Sequence, residues 1–454
     1  MNLSRRQFLG QSSLATLGWL VRQAAPIKAQ ATLPNIIFIM ADDLGYGDLG
    51  VYQQTRIQTP HLDNLAAEGM RFTQCYSANT VCAPTRWSLM TGKDMRHARN
   101  VTNSALLYPE DVTLPQHLQL LGYHTVGIGK WGIGDIDNSG MPLLKGFNHW
   151  FGYFDHGHAH NYYPEFLWRD RKVEWIYANL EAQRQIYAPD LFTAEAVKFI
   201  QTNQQFPFFM YLPYTLPHAN NELYNLTGDG LQVPTDAPYT NEPWPPIERK
   251  FAAMVTRLDG YVGQILQSLK ERNLEQDTLI FFTSDNGPHQ EGGHQAQFFK
   301  SAGPLRGIKR DLYEGGIRVP MIVRWPNKIK PNTVSDHPWS LADFLATVMD
   351  ITGMTSPSDG LSIKPTLLGE TQPSHDYLYW AFQEGVFKEA VRLGEWKGVR
   401  NGLCGTELYH LAEDMGEIRN LATQQPQILK QIEEIMAQFW LESVAQCVYL
   451  PLVR

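Results

Sequence analysis

Cysteine is scarce in this chain, with four in 454 residues, at positions 75, 82, 404 and 447. That excludes a scaffold held together mainly by disulfides. Long apolar runs are missing as well: no stretch approaches the roughly 20 residues a helix needs to cross a bilayer, so no stable membrane span is expected. Positive charge is not in excess either. A net charge of −8 implies no basic face to neutralise phosphates, which excludes a general nucleic-acid binder. Any anion bound here must be held by a local cluster of positive groups. No internal repeat or low-complexity tract appears, so solenoids and linkers are excluded. Apolar and aromatic residues are plentiful: 43% of the chain is hydrophobic, with 12 Trp, 20 Tyr and 21 Phe, ample for a large core. The length suits roughly three domains or, equally, one large α/β unit with a smaller one.

Residues 1–31 read as a leader. Ser4-Arg5-Arg6-Gln7-Phe8-Leu9-Gly10 joins paired arginines to apolar residues, a mild apolar run follows from Leu14 to Val21, and Ala29-Gln30-Ala31 is a small-x-small cleavage pattern. The segment resembles a twin-arginine export signal, the alternative being a poorly ordered basic tail. The expectation is an exported bacterial protein, periplasmic or secreted, with the twin-arginine machinery as a partner. If Cys82 is chemically special, three cysteines remain in that oxidising setting. Cys404 and Cys447 are then the first pair to consider for a disulfide, which the sequence does not establish.

The chain is organised around Asn79-Thr80-Val81-Cys82-Ala83-Pro84-Thr85-Arg86, continuing through Met90 to Gly92. Pro84 suits the first turn of a helix because it brings no N–H and a preset φ, and Gly92 suits its stop. Cys82 then sits at a helix N-terminus, where the dipole favours an anion. A small buried cysteine before a capped helix is the plainer reading. Asn35 to Met40 is a continuous apolar run, the mark of a strand buried on both faces in a mainly parallel sheet. Asp42 and Asp43 follow it, where ligands of open α/β sheets gather. They are either solvated turn residues or oxygen ligands of a hard cation. Thr278 to Thr283 repeats the design and runs into Ser284-Asp285-Asn286-Gly287. His124 to Gly129 is a further strand, with Lys130 at its end. Phe208 to Leu212 is another, leading towards His218, which alone would more often be structural. His156, His158 and His160 cluster in a loop that suits a transition metal, a polar pocket or plain exposure. Residues 220–246 read as a long irregular loop of the kind that shapes a pocket rim. Tyr162, Tyr163, Phe166 and Trp168 suit either stacking on sugar faces or the core. The segment 305–320, which carries Lys309, is basic and turn-rich. Beyond residue 365, Tyr377 to Phe382, Ala390 to Val399 and Glu407 to Tyr409 read as antiparallel strands, and Pro426 to Leu441 as a helix.

Taken in order, Asp42, Asp43, Cys82-Ala83-Pro84-Thr85-Arg86, Lys130, His218, Asp285, Asn286 and Lys309 resemble the type I sulfatases of the alkaline phosphatase-like superfamily. The likeness runs from about Pro34 to Glu407-Leu408-Tyr409-His410-Leu411. It implies an α/β fold, a large mixed, mainly parallel sheet flanked by helices, with a smaller C-terminal α/β subdomain containing an antiparallel sheet. Residues 32–365 would be the catalytic domain and 366–454 the subdomain.

The implied chemistry is sulfate ester hydrolysis, on aryl or carbohydrate sulfates. Cys82 would be oxidised to formylglycine by a maturase that also reads Pro84 and Arg86, and its hydrate would be the nucleophile. Asp42, Asp43, Asp285 and Asn286, with the modified Cys82, would hold one divalent cation, Ca²⁺ first and Mg²⁺ second. Lys130, Lys309 and Arg86 would offset charge on the sulfuryl oxygens, and His218 would be the general acid. In many family members a histidine follows that lysine by two residues; here Gly132 stands in its place. That leaves either a weaker second step or a substitute from the loop His156, His158 and His160, with His158 the first candidate and His160 beside it on the substrate. The alternatives are a phosphodiester or phosphonate monoester hydrolase on the same scaffold, or a sulfated-glycan binder without turnover.

Overall fold

The computed structural model describes residues 33–448 apart from 204, 205 and 356, with side chains described as far as residue 439. The expected leader, residues 1–31, lies outside them. From Pro34 on, the described chain clusters as one compact unit.

Eleven strands form the main sheet. In chain order they are β1 (Asn35–Asp42), β2 (Met70–Tyr76), β3 (His124–Lys130), β4 (His149–Tyr153), β5 (Phe166–Arg169), β6 (Lys172–Trp175), β7 (Phe208–Pro217), β8 (Thr278–Ser284), β9 (Arg318–Arg324), β10 (Thr333–Ser335) and β11 (Trp339–Ser340). The centre, β8-β1-β7-β3-β4, is parallel throughout. Antiparallel β9 and the β5–β6 hairpin are added towards the edges. The sheet is therefore mixed and mainly parallel.

Helices cover both faces, which is why β1, β7 and β8 are buried along their whole length. Side chains alternate along β1. Ile37 and Ile39 join the core under the helices Ala188–Thr202 and Pro246–Glu271. Phe38 points the other way and meets Phe344 of the helix Asp343–Thr352 at a centroid distance of 4.4 Å. Four parallel strands thus end on one edge, and Asp42, Lys130, His218 and Asp285 lie at the ends of β1, β3, β7 and β8.

The second sheet is an antiparallel meander, β12 (Leu378–Glu384), β13 (Val386–Leu393), β14 (Trp396–Asn401) and β15 (Glu407–His410), covered by the helix Pro426–Val448. The expected single strand Ala390 to Val399 is two strands. A tight turn at Gly394 (φ +59°) and Glu395 pairs Leu393 with Trp396. The expected irregular loop 220–246 contains a helix, Asn221–Thr227. It is capped by the Asn220 side chain, which accepts from the Leu223 N–H at 2.8 Å, and is stopped by Gly228.

The small sheet braces the segment that precedes Cys82. Trp380 donates to Ser77 O at 2.9 Å, and Asn79 donates to Ala381 O at 2.7 Å. Below them, Lys397 bridges Glu314 (2.9 Å) and Glu417 (3.0 Å), with all three side chains fully buried. Cys75 and Cys404 are free. Cys404 is exposed, and the Cys447 side chain of the expected pair lies outside those described.

Candidate active site

Cys82 opens the helix Cys82–Thr91, every residue of which is buried. Val81 is extended, Pro84 lies in the first turn, and Gly92 ends the helix at φ +66°. No N-cap side chain is present; Asn103 instead accepts from the Ala83 N–H at 3.1 Å. The helix thus fixes both Cys82 and, one turn later, Arg86 against the ends of the parallel strands.

One ligand atom each from Asp42, Cys82 and Asp285 lie within 4.8 Å of one another, as do those of Asp42, Asp43 and His218. Lys130 Nζ is 2.7 Å from Asp42 and 3.7 Å from Cys82 Sγ. Arg86 donates to Asp285 at 2.7 Å and to Lys130 O at 2.6 Å. Lys309 donates to Asp43 at 2.7 Å and meets His218 Nε2 at 3.2 Å. Asn286 Nδ2 donates to Asp43 at 2.8 Å. The expected catalytic and metal-binding residues, from six separate stretches of chain, are one cluster.

Its electrostatics follow from burial among charges. Asp42 would be raised by burial, but Lys130, Arg86 and Lys309 outweigh that and hold it at about 2. Asp285 is raised to about 7, by burial first and then by the Asp42 charge. The Asp42 charge thus disfavours a second charge on Asp285, a penalty that a divalent cation would relieve. Burial pushes the Cys82 thiol up to about 11, against the pull of Lys130, so the unmodified side chain is no thiolate. Burial and then Lys309 hold His218 well below its usual value, keeping it neutral. Its Nδ1 donates to Ala219 O at 2.6 Å.

A hard cation fits this donor set. Asp42 Oδ1 and Asn286 Oδ1 are buried and accept no hydrogen bond, an uncommon state for buried oxygens. With Asp43 and Asp285 they offer oxygen alone, as Ca²⁺ and Mg²⁺ require. Asp43 is also held at φ +67°, a backbone conformation uncommon outside glycine and found at functional sites.

Of the loop histidines, His160 stacks on His218 (4.7 Å, 14°), and its Nδ1 bonds Glu222 at 2.9 Å. The His158 ring packs on Phe166 (4.4 Å) and Tyr153 (4.9 Å). His156 lies against Gly132. Tyr162 is buried, and Trp168 stacks on Phe154 at 5.2 Å, so both serve packing. Tyr163 lines a cleft of about 410 Å³ beside the cluster, with His158, Asn161, Arg184, Asn220 and Glu222.

Sequence reasoning missed a rim of charged groups. Glu291 accepts from Asn221 at 2.9 Å, lies 3.5 Å from Lys309 and pairs with Arg310. Arg310 in turn reaches Glu384, at the end of β12, at 2.7 Å. Arg310 is signalled only by its place next to Lys309. Glu222 in the helix Asn221–Thr227, Glu291 in a loop and Glu384 at the end of β12 are far apart in sequence and carry no local signal. A second carboxylate–histidine group, Asp94, His97 and Asp359, is paired within itself and with Arg96.

Comparison with known proteins agrees with this geometry. Residues 34–354 match the sulfatase family model, and residues 308–443 match the model described as N-sulphoglucosamine sulphohydrolase, C-terminal. The chain is 32% identical to an N-acetylgalactosamine-6-sulfatase of Canis lupus familiaris, over 84% of this chain and 76% of that protein. It is 26% identical to an N-acetylgalactosamine-6-O-sulfatase of Bacteroides thetaiotaomicron, over 89% and 92%. Among solved structures, Ps i-CgsB in complex with k-i-k-neocarrahexaose superposes with a TM-score of 0.80 at 27% identity, covering 90% of this chain and 93% of that one. The chain belongs to the sulfatase family, enzymes that hydrolyse sulfate esters.

Proposed function

We propose that this sulfatase removes sulfate from an O-sulfated sugar of a glycan, using formylglycine made from Cys82 and one cation, Ca²⁺ in preference to Mg²⁺. The observation that carries the reading is the convergence of Cys82 with Asp42 and Asp285 within 4.8 Å, beside Lys130. Three carboxylates (Asp42, Asp43, Asp285) face three basic groups (Arg86, Lys130, Lys309), so their formal charges cancel. A divalent cation brings the centre to +2, a local field that draws an anionic ester towards a protein of net charge −8.

Asp42, Asp43, Asp285 and Asn286 hold the cation, which when bound supplies Lewis acidity to the nucleophile and the sulfuryl group. Lys130, Arg86 and Lys309 offset charge on the sulfuryl oxygens. His218 Nε2 faces the Lys309 ammonium at 3.2 Å, takes a proton from it and passes that proton to the leaving oxygen. His158 lines the open cleft, which is of a size that takes a sugar ring and its neighbour, and His160 is tied to its wall through Glu222. The printed names of the relatives, N-acetylgalactosamine-6-sulfatase and a carrageenan-oligosaccharide complex, support a glycan substrate.

Cys82 and Arg86 are buried in the folded chain, so a maturase reads them before folding. For a chain exported folded by the twin-arginine route, maturation then also precedes export to the periplasm or medium. No described helix is long and apolar enough to cross a membrane. A sulfate-release screen with a 6-sulfated hexosamine, a carrageenan oligosaccharide, an aryl sulfate and an aryl phosphodiester tests the reading. The expected order places a sulfated sugar first, whereas faster phosphodiester cleavage would overturn it.

A further inference from the structure

The site has a gap that its own residues explain. Sulfate held on one oxygen of a formylglycine hydrate leaves only when the other oxygen loses its proton, which calls for a neutral base. Most groups around Cys82 are engaged. Lys130 is bonded to Asp42, Arg86 to Asp285, and Lys309 to Asp43. Both ring nitrogens of His218 are committed, to Ala219 O and Lys309, and His160 Nδ1 is held by Glu222.

We infer that His156 is the base that releases sulfate from the enzyme, entering from the loop after β4 to fill the space beside Gly132; this rests on Cys82 maturing to formylglycine. A Cβ at residue 132 would lie 2.7 Å from His156 Cε1 and 3.1 Å from its Nε2, so the imidazole occupies the volume a side chain there would need. Gly132 also sits at φ +76°, where glycine is at ease. The two segments are pinned together, since the Trp131 N–H donates to Tyr153 O at 3.0 Å and the Gly132 N–H to Phe154 O at 2.8 Å. Both His156 ring nitrogens are buried and make no hydrogen bond among the described residues. A buried imidazole with neither nitrogen satisfied is uncommon and calls for a role. Burial first, then the charges of Lys130 and Arg86, hold the ring well below its usual value and so neutral. The sequence favoured His158 for this duty, but that ring packs on Phe166 and Tyr153.

The step balances. The hydrate O–H gives its proton to a His156 nitrogen, and its electron pair forms the C=O. The C–O bond to sulfur's oxygen breaks, and sulfate leaves as the dianion. Water then adds to the aldehyde to restore the hydrate, and the imidazolium returns its proton to solvent.

The test uses the full mature enzyme with para-nitrophenyl sulfate. His156→Ala should release about one equivalent of nitrophenol at near-normal rate, then turn over ~100- to 10,000-fold more slowly. The Cys82 peptide should carry sulfate by mass analysis, and added imidazole should restore turnover. His156→Gln, which keeps the bulk, should behave alike without imidazole rescue. Full turnover of His156→Gln with formylglycine present and no sulfated peptide would overturn the inference alone. An unmodified Cys82 peptide in active wild-type enzyme would overturn the reading beneath it.

Discussion

Lys130 and Lys309 are each buried against a different aspartate, and the division has consequences. Lys130 faces the nucleophile, 3.7 Å from Cys82 Sγ, while Lys309 faces the leaving-group side through His218. Lys309→Ala is expected to lower kcat by ~100- to 1,000-fold, in the range for removing one electrostatic stabiliser, with the larger loss on substrates whose alcohol leaves poorly. Steady-state comparison of aryl and sugar sulfates checks this; equal losses would place Lys309 elsewhere. Cys82→Ser has one hydroxyl where the hydrate has two, so multiple turnovers are expected to vanish while cation binding, measured by calorimetry, persists. At this scale the sequence was readable where chemistry is contiguous: Cys82, Pro84 and Arg86 announce themselves by spacing. His156, Glu222 and Glu291 were not, because their neighbours are set by loops that meet only in the fold. A histidine at 156 acquires meaning only when Gly132 is seen beside it.

The elements that build the site are strands read directly from apolar runs, ending together because the central sheet is parallel. β1, β3, β7 and β8 were legible for that reason, since a strand buried on both faces leaves an unbroken apolar record. The β5–β6 hairpin was not, because its aromatic residues suit packing and sugar contact equally, and β13 and β14 were fused because the turn at Gly394 is only two residues long. The catalytic helix lacks an N-cap side chain and uses Asn103 from the following loop. Asn103→Ala should lower stability by ~1 kcal/mol and shift the Cys82 end of the helix, read as a lower thermal midpoint.

The loop after β1 carries a pH signature. Burial raises Asp48 to about 7, with Oδ2 accepting from Gly45 N at 2.8 Å and Oδ1 unpartnered. The folded state therefore keeps a proton that the unfolded chain releases near its ordinary value of 3.8. Stability from this group is full below that value, falls as pH rises towards about 7, and is flat above. Asp48→Asn should raise the thermal midpoint more at pH 8 than at pH 5; the reverse order would contradict the assignment.

Across the whole molecule, the small sheet holds the catalytic one in register through Lys397, Glu314 and Glu417, which have no access to water. Lys397→Met would leave two buried carboxyl groups facing each other and is expected to cost ~3–5 kcal/mol, seen in denaturant unfolding. The division into two sheets could be read from the change in strand pattern after residue 365, whereas the charged network joining them could not, since its members are far apart in sequence. Cation binding should also register globally: a chelator lowers the thermal midpoint and Ca²⁺ restores it, because the ligands converge only when folded. The central claim is that Cys82 is the precursor of the nucleophile in a cation-bound sulfatase centre. The mass of the Cys82 peptide from active protein tests it most directly. The account predicts a peptide in which CH₂SH has become CHO, with full activity tracking its abundance; an intact thiol in fully active enzyme would contradict it.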